Sequence, residues 1–160
     1  MKEGYKLIKI IEIPVENIDE FWNIQFKYLV DDNIIEKEDF DYFSGDEYRT
    51  IIKNHMIRET DKHHMVFFTK DDIKVGACQF NTYQSEDGKC FILDFWIFDK
   101  FRGKGLGHEC FEALDKYTKN DGAKYYVINY SNENNHRFWL SVGFVDNGID
   151  EYNVPLMMKR

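Results

Sequence analysis

The stretch Arg102-Gly103-Lys104-Gly105-Leu106-Gly107 carries the clearest chemical signal in this 160-residue chain. It follows an apolar, strand-like run from Phe91 to Phe98 and opens a helix-like run from Leu106 to Asn120. Glycine at every second position leaves main-chain N–H groups free to converge. At a helix start those donors, with the positive end of the aligned peptide dipoles, seat a phosphate. Arg102 and Lys104 add charge to the same seat, with Lys100 just before them. The expected local order is strand, phosphate cradle, helix.

Two common phosphate loops fail on spacing. A nucleoside-triphosphate loop requires G-x-x-x-x-G-K-[ST], and neither Gly103-Lys104-Gly105 nor Gly88-Lys89-Cys90 continues that way. A dinucleotide fold requires G-x-G-x-x-G and an acidic residue about 20 positions on for the ribose. Here the third glycine, Gly107, comes one residue early, position 108 is His, and Ala123-Lys124-Tyr125 offers no carboxylate.

The string R-G-K-G-L-G resembles instead the pyrophosphate loop of the GNAT superfamily of acetyl-CoA-dependent N-acetyltransferases, written R/Q-x-x-G-x-G/A. The flanks extend the resemblance. Leu93 to Phe101 looks like the family's fourth strand and its exit, and Tyr125 to Tyr130 like the fifth strand. Asn132 to Phe144 (N-E-N-N-H-R-F-W-L-S-V-G-F) looks like the next helix and its Gly-Phe stop. Outside 91–144 the chain agrees in length and element order. The resemblance implies one N-acetyltransferase domain over residues 1–160 with an α/β (α+β) fold. That fold is a mixed, mostly antiparallel central sheet of six or seven strands flanked by about four helices, with strands four and five splayed.

The resemblance also implies roles for residues. The pantetheine arm of acetyl-CoA, the cosubstrate, would lie in the splay against the backbone of Trp96, Ile97 and Phe98, where one N–H would face the acetyl oxygen. Arg102, Gly103, Lys104, Gly105, Leu106 and Gly107 would wrap the pyrophosphate, with His108 as a further donor. Asn132 matches the asparagine that holds pantetheine, and it equally suits an Asx turn starting a helix. Phe138 matches an aromatic packed near the cofactor, a place core packing explains as well. Asn135 stands where the family usually has Ala.

Trp139 is a departure, because the family often has a Tyr there whose phenol protonates the leaving thiolate. An indole N–H is only a hydrogen-bond donor. Three readings stay open. Tyr130 substitutes as the acid; solvent does so, since a thiol of pKa about 8.5 leaves without much help; or the protein binds acyl-CoA as a regulatory module without turnover. Asp94 is the one charged residue in the apolar fourth strand, and burying an unpaired carboxylate is expensive. It is either a base or anchor for the incoming ammonium or a structural carboxylate bonded to a neighbouring turn.

Composition narrows the partners. The net charge of −8 disfavours nucleic acid, which needs a basic face, and suits a cationic or neutral amine. The expected acceptor is a small amine of polyamine or aminoglycoside type; a protein N-terminus or lysine is the alternative. With 43% hydrophobic residues the chain has material for a core. It contains no apolar run long enough for a bilayer, and Met1 to Tyr5 has no signal-peptide pattern. Cys78, Cys90 and Cys110 are odd in number and lack C-x-x-C spacing, which fits buried thiols in a reducing cytoplasm. The five histidines show no ligand spacing, so no metal is expected. Members of the family commonly pair as homodimers, sometimes through terminal strands.

The elements that must position this chemistry follow from pattern. Lys6 to Ile13 is a first strand ended by Pro14. Asn17 and Glu20 form a capping box before a helix carrying Ile18, Phe21, Trp22, Gln25, Phe26 and Leu29. Residues 31–47 are an acidic linker or the acidic rim of a substrate cleft, ahead of a helix from Asp46 to Glu59. Strands at His64–Lys70 and Lys74–Gln84 are joined by Asp71-Asp72. The fourth strand is Cys90–Phe98, the next helix Leu106–Asn120 stops at Gly122, and Tyr125–Tyr130 is the fifth strand. A short helix stopped by Gly143 and a strand at Val154–Met158 complete the chain.

Overall fold

A computed structural model of the chain describes residues 7–160. Lys6 of the expected first strand and the leading segment Met1 to Tyr5 lie outside the described residues. The strands are β1 (Lys9–Glu12), β2 (His63–Lys70), β3 (Ile73–Thr82), β4 (Lys89–Ile97), β5 (Tyr125–Asn129), β6 (Val145–Ile149) and β7 (Pro155–Lys159). The helices are α1 (Ile18–Asp31), α2 (Phe40–Ser44), α3 (Asp46–Met56), α4 (Leu106–Asn120) and α5 (Glu133–Ser141). The strands form one sheet in the order β1-β2-β3-β4-β5-β7-β6. Every neighbouring pair is antiparallel except β4 and β5, which α4 connects as a parallel crossover.

The sheet has an apolar layer on each face. On one, Val66, Phe68, Cys78, Phe80 and Ile92 pack with Leu106, Cys110, Phe111 and Leu114 of α4 and Trp139 of α5. On the other, Met65, Phe67, Ala77 and Trp96 pack with Ile18, Phe21 and Trp22 of α1 and with Tyr48 and Ile52 of α3. Asp71 and Asp72 both take positive φ (56° and 63°), the twist a two-residue hairpin needs. Gly122, at φ +93°, ends α4 as expected. Cys78, Cys90 and Cys110 are buried thiols, and burial pushes Cys90 and Cys110 up to about 12. That leaves too little thiolate for nucleophilic work.

Four local expectations need correction. Asn17 makes no capping-box bond. A 3-10 turn at Val15–Asn17 winds the chain into α1 instead, with Asn17 N–H donating to Pro14 O at 2.9 Å. The acidic segment is folded rather than a bare linker: Phe40 of α2 meets Phe26 at 5.8 Å, and Phe43 meets Tyr48 at 5.0 Å. That adds a fifth helix to the expected four. The helix expected to reach Glu59 stops at Met56. Strand β6 was absent from the pattern because every one of its residues is exposed and Gly148 breaks its regularity at φ +77°.

His64 fastens β1 and β2 to the end of α4. Its Nδ1 lies 2.9 Å from Glu12 and its Nε2 lies 3.1 Å from Asp121. Burial works against its charge, but these two carboxylates outweigh burial and raise it to about 9. A raised cationic group stabilises the fold fully below its unfolded pKa, about 6.5. The contribution fades as pH rises through about 9. Urea unfolding of wild type and His64→Gln should therefore differ most near pH 6 and converge by pH ~10. A gap that widens with pH would refute the assignment.

Candidate active site

The site begins where β4 and β5 part. Their parallel pairing runs from Lys89↔Tyr125 to Ile92↔Ile128 and stops. β4 continues to Ile97, held only by β3 on its other edge. Along its free edge, Leu93–Ile97 has lost its strand partner on the β5 side. Such an edge accepts an extended ligand as though it were another strand.

A register shift sits at the same place. Gln79 pairs with Asp94 and Phe80 with Ile92, so Leu93 is skipped as a β-bulge. One extra residue inverts which side chains face which way. Cys90 and Ile92 face α4, and beyond the bulge Phe95 does so in their place. Asp94 and Trp96 are turned towards α1 and α3.

The gap widens into a cleft of about 480 Å³, lined by Tyr28, Asp32, Phe95 to Ile97, the 102–108 loop, the start of α5, Phe138 and Trp139. The three glycines of the loop have different reasons to be glycine. Gly103 (φ +78°) and Gly105 (φ +77°) stand in open space, and their backbone conformation excludes most side chains. Gly107 has no such φ. A Cβ there would lie 2.7 Å from the Phe138 ring, so its absence lets α4 and α5 approach. Gly105 is the N-cap of α4, and no side chain occupies the cap. The free N–H groups of the first helical turn are left for an anion.

Most of the expected cofactor residues meet in this cleft. Trp96, Ile97, Arg102, Gly103, Gly105, Leu106, Gly107, His108, Asn132, Asn135 and Phe138 all line it. Asn132 caps α5, its Oδ1 accepting from Asn135 N–H at 2.9 Å, worth about 1 kcal/mol. His108 Nε2 is engaged with Ser141 Oγ at 2.8 Å. Arg102 is held on both sides: Nε donates to Ile97 O at 2.7 Å and Nη1 lies 2.9 Å from Asp32. Lys104 is exposed on the loop and does not line the cleft.

Phe98 and Tyr130 also lie outside the cleft wall. Phe98 donates its N–H to Val75 O at 2.8 Å, and its ring turns to Phe67 and Trp96, so its N–H is not free for a cofactor. Tyr130 packs at a tilt against His136, with ring centroids 4.5 Å apart, and is not part of the cleft wall. Trp139 is buried among Phe95, Phe111, Phe138 and Phe144, with its edge at the cleft.

Asp94 is not part of the cleft wall; it lies on the α1 side of β4, among polar groups whose role the sequence did not show. Gln25 Nε2 donates to Asp94 Oδ2 at 3.0 Å and lies 3.2 Å from Tyr48 OH; Gln79 Nε2 donates to the same carboxylate oxygen. Burial raises the Asp94 pKa, and the two amides oppose that rise. Burial also raises Tyr48 to about 12. Tyr28 was missed as well. It stacks on Trp96 at 4.5 Å with 5° between planes, and burial, then Asp94, raises its phenol far above the ordinary value. Gln25 was the readable signal, a polar residue on the apolar stripe of α1. No group of side chains that could hold a metal occurs among the described residues.

The family profile described as the acetyltransferase (GNAT) family matches residues 21–144. This chain belongs to the GNAT family. As a member it is an acetyl-CoA-dependent N-acetyltransferase. No curated protein sequence matches it. Its fold is similar to that of a PaiA N-acetyltransferase from Thermoplasma acidophilum solved with coenzyme A. That pair has 14% identity, 96% and 98% of the two chains covered, and a TM-score of 0.71. It is similar to RimL, a ribosomal L7/L12 α-N-protein acetyltransferase solved with coenzyme A, at 13% identity, 96% and 93% covered, TM-score 0.70. It is also similar to the aminoglycoside N-acetyltransferase AAC(6')-Iy solved with coenzyme A, at 12% identity, 94% and 95% covered, TM-score 0.64. At these identities the likeness carries the fold alone.

The Gly107–Phe138 contact makes a specific prediction for this GNAT chain. Gly107→Ala should cost roughly 1–3 kcal/mol by overpacking. In a Phe138→Leu background that cost should shrink, because the crowded ring is gone. Urea unfolding of the four proteins measures the coupling; additive effects would show that the ring is not what Gly107 accommodates.

Proposed function

We propose that this GNAT chain moves the acetyl group of acetyl-CoA to a primary amine, and that the acceptor is a small cationic amine of polyamine or aminoglycoside type. The observation that carries this reading is the end of β4–β5 pairing at Ile92 and Ile128, opening onto glycines at positive φ before an uncapped helix start. The free edge at Phe95 and Ile97 would receive the pantetheine arm, since the Trp96 main chain faces β3, and the loop amides the pyrophosphate. Main-chain donors fixed in place act without reorganising, which is what a developing oxyanion needs.

The acceptor side is proposed to be the α1 and α3 face of β4. Asp94, Gln25 and Tyr48 meet there, and the exposed carboxylates of residues 36–47 give the approach a negative potential that favours ammonium groups. In this reading Asp94 anchors the amine or takes its proton through water. Tyr28 keeps its proton, so it can donate a hydrogen bond in the cleft but is a weaker acid than the departing thiol. Tyr130 points elsewhere and Trp139 has no acidic proton, so solvent protonates the thiolate. A cytoplasmic site of action fits the buried thiols, and no helix among the described residues is long and apolar enough to cross a membrane.

Free-thiol release from acetyl-CoA across a panel of amines tests the assignment, with polyamines or aminoglycosides expected to be turned over fastest. Preference for peptide N-termini or lysines would move the acceptor to protein. Saturable acetyl-CoA binding without release on any amine would leave a binding module. Gly105→Asp should abolish coenzyme A binding in calorimetry while circular dichroism is unchanged. Asp tolerates left-handed φ, and its carboxylate would occupy the anion seat. Retained affinity would remove the loop from the cofactor site.

A further inference from the structure

Behind Asp94 a line of buried side chains fixes the charge of a histidine. Gln79 gives its amide N–H to Asp94 Oδ2, so its carbonyl oxygen faces His63 Nε2 at 2.7 Å. At the other edge of the ring, Asn81 Oδ1 lies 2.6 Å from His63 Nδ1. Asn81 in turn donates Nδ2 to the main-chain carbonyl of Asp61 at 3.1 Å. A carbonyl only accepts, so the Asn81 amide cannot turn over without losing that bond. His63 Nδ1 therefore carries hydrogen. Nε2 faces a second carbonyl oxygen, and two lone pairs at that separation repel, so Nε2 carries hydrogen too. His63, Gln79 and Asn81 are each no more than 3% exposed, so bulk water supplies no alternative partner.

We propose that His63 is an imidazolium in the resting protein and is the counter-charge that keeps Asp94 ionised, acting through the Gln79 amide. This rests on the reading of Asp94 as the group that meets the acceptor amine; His63 itself is a positioning residue. Only one other arrangement pairs every polar atom of the line. If Asp94 gained a proton and His63 lost one, the Gln79 amide could turn over. Its oxygen would then accept from the Asp94 hydroxyl, and its N–H would donate to a neutral His63. Both arrangements are neutral overall, so the two charges exist together or not at all.

The surroundings make this coupling strict. Burial, against the opposing bonds to Asn81 and Gln79, leaves His63 pushed down to about 4, and burial raises Asp94, so neither charge persists without the other. His55 from α3 and His64 from β2 also work against the imidazolium. On the Asp94 side, Tyr28 from α1, Tyr48 from α3 and Cys78 from β3 are all shifted upward and stay neutral near pH 7. The balancing negative charge is the one that Gln79 links to the ring.

Ring-nitrogen spectra of the 15N-labelled full chain at pH 7 test the proposal directly. In wild type both nitrogens of His63 should carry hydrogen. In Asp94→Asn the new amide imitates a protonated Asp94, and His63 should become neutral with hydrogen on Nδ1 alone. A neutral His63 in wild type, or an imidazolium that survives Asp94→Asn, overturns the proposal. These spectra need no turnover, so they decide it even if no amine is acetylated. Where an amine is turned over, His63→Gln should move the acidic limb of kcat/KM for the amine upward by roughly one pH unit or more, with KM for acetyl-CoA unchanged. An unmoved limb in a folded variant counts against the proposal.

Discussion

One skipped residue, Leu93, organises both sides of the central strand. Without that bulge the alternation begun by Cys90 and Ile92 would carry Asp94 and Trp96 to the α4 face and Phe95 to the α1 face. The register shift sends them the other way. Trp96 can then stack on Tyr28, Phe95 can reach Phe111, Phe138 and Trp139, and Asp94 comes level with Gln79. A bulge also increases local twist, and the parallel pairing with β5 ends one residue before it. Side-chain parity and the opening of the slot thus change at one step of the chain. The opening of the cleft and the placing of the carboxylate on the Tyr28–Trp96 side of the strand are two consequences of it.

The opened slot leaves the backbone of β4 beyond Ile92 without a strand partner on the β5 side, and the start of α4 without a side-chain cap. In a core this would be costly, at about 1–3 kcal/mol for each unsatisfied group. Here the groups line an open cleft of about 480 Å³, where water satisfies them until a ligand does. What keeps the slot open is packing on its flanks. The Tyr28–Trp96 stack closes one wall and the Phe95–Phe138–Trp139 cluster the other. Such ring pairs add about 0.5–1.5 kcal/mol each beyond the area they bury. Gly107 belongs to this packing, whereas Gly103 and Gly105 belong to backbone conformation.

The elements around the proposed cofactor side were legible in the sequence because their signals are local. Alternating glycines, the strand before them and the helix after them fall within about thirty residues, and α4 runs over the residues its pattern assigned, Leu106–Asn120. The proposed acceptor side was far less legible. Gln25, Tyr48, His63, Gln79 and Asp94 come from five separate elements, and only tertiary structure brings them together. The bulge is invisible in composition, since Leu93 is one more apolar residue in an apolar run, and with it the parity of Asp94 was hidden. Tyr130 drew notice by its place after β5, yet side-chain direction at a strand end depends on the packing that follows, here against His136. The acidic segment between α1 and α3 showed its charge, while Phe40 and Phe43, which fold it, were hidden among carboxylates.

An anionic cofactor on a protein of net charge −8 raises an electrostatic question that the cleft answers locally. Screening confines charge effects to about 8 Å at physiological ionic strength, so distant carboxylates count for little at the phosphate seat. Nearby charge is finely divided. Arg102 is already bonded to Asp32 and to Ile97 O, joining the end of α1 to the exit of β4, and its charge is largely offset there. A half-exposed pair of this kind is worth about 0–1 kcal/mol, so a phosphate can draw the guanidinium away at little expense. Doing so would release Asp32, on the α1 wall of the same cleft, to repel further anions. The main-chain dipoles at the start of α4 have no such competitor, because no side chain caps them. The proposed seat for phosphate would therefore depend first on backbone geometry, with Arg102 a clasp between the walls before it is a cation.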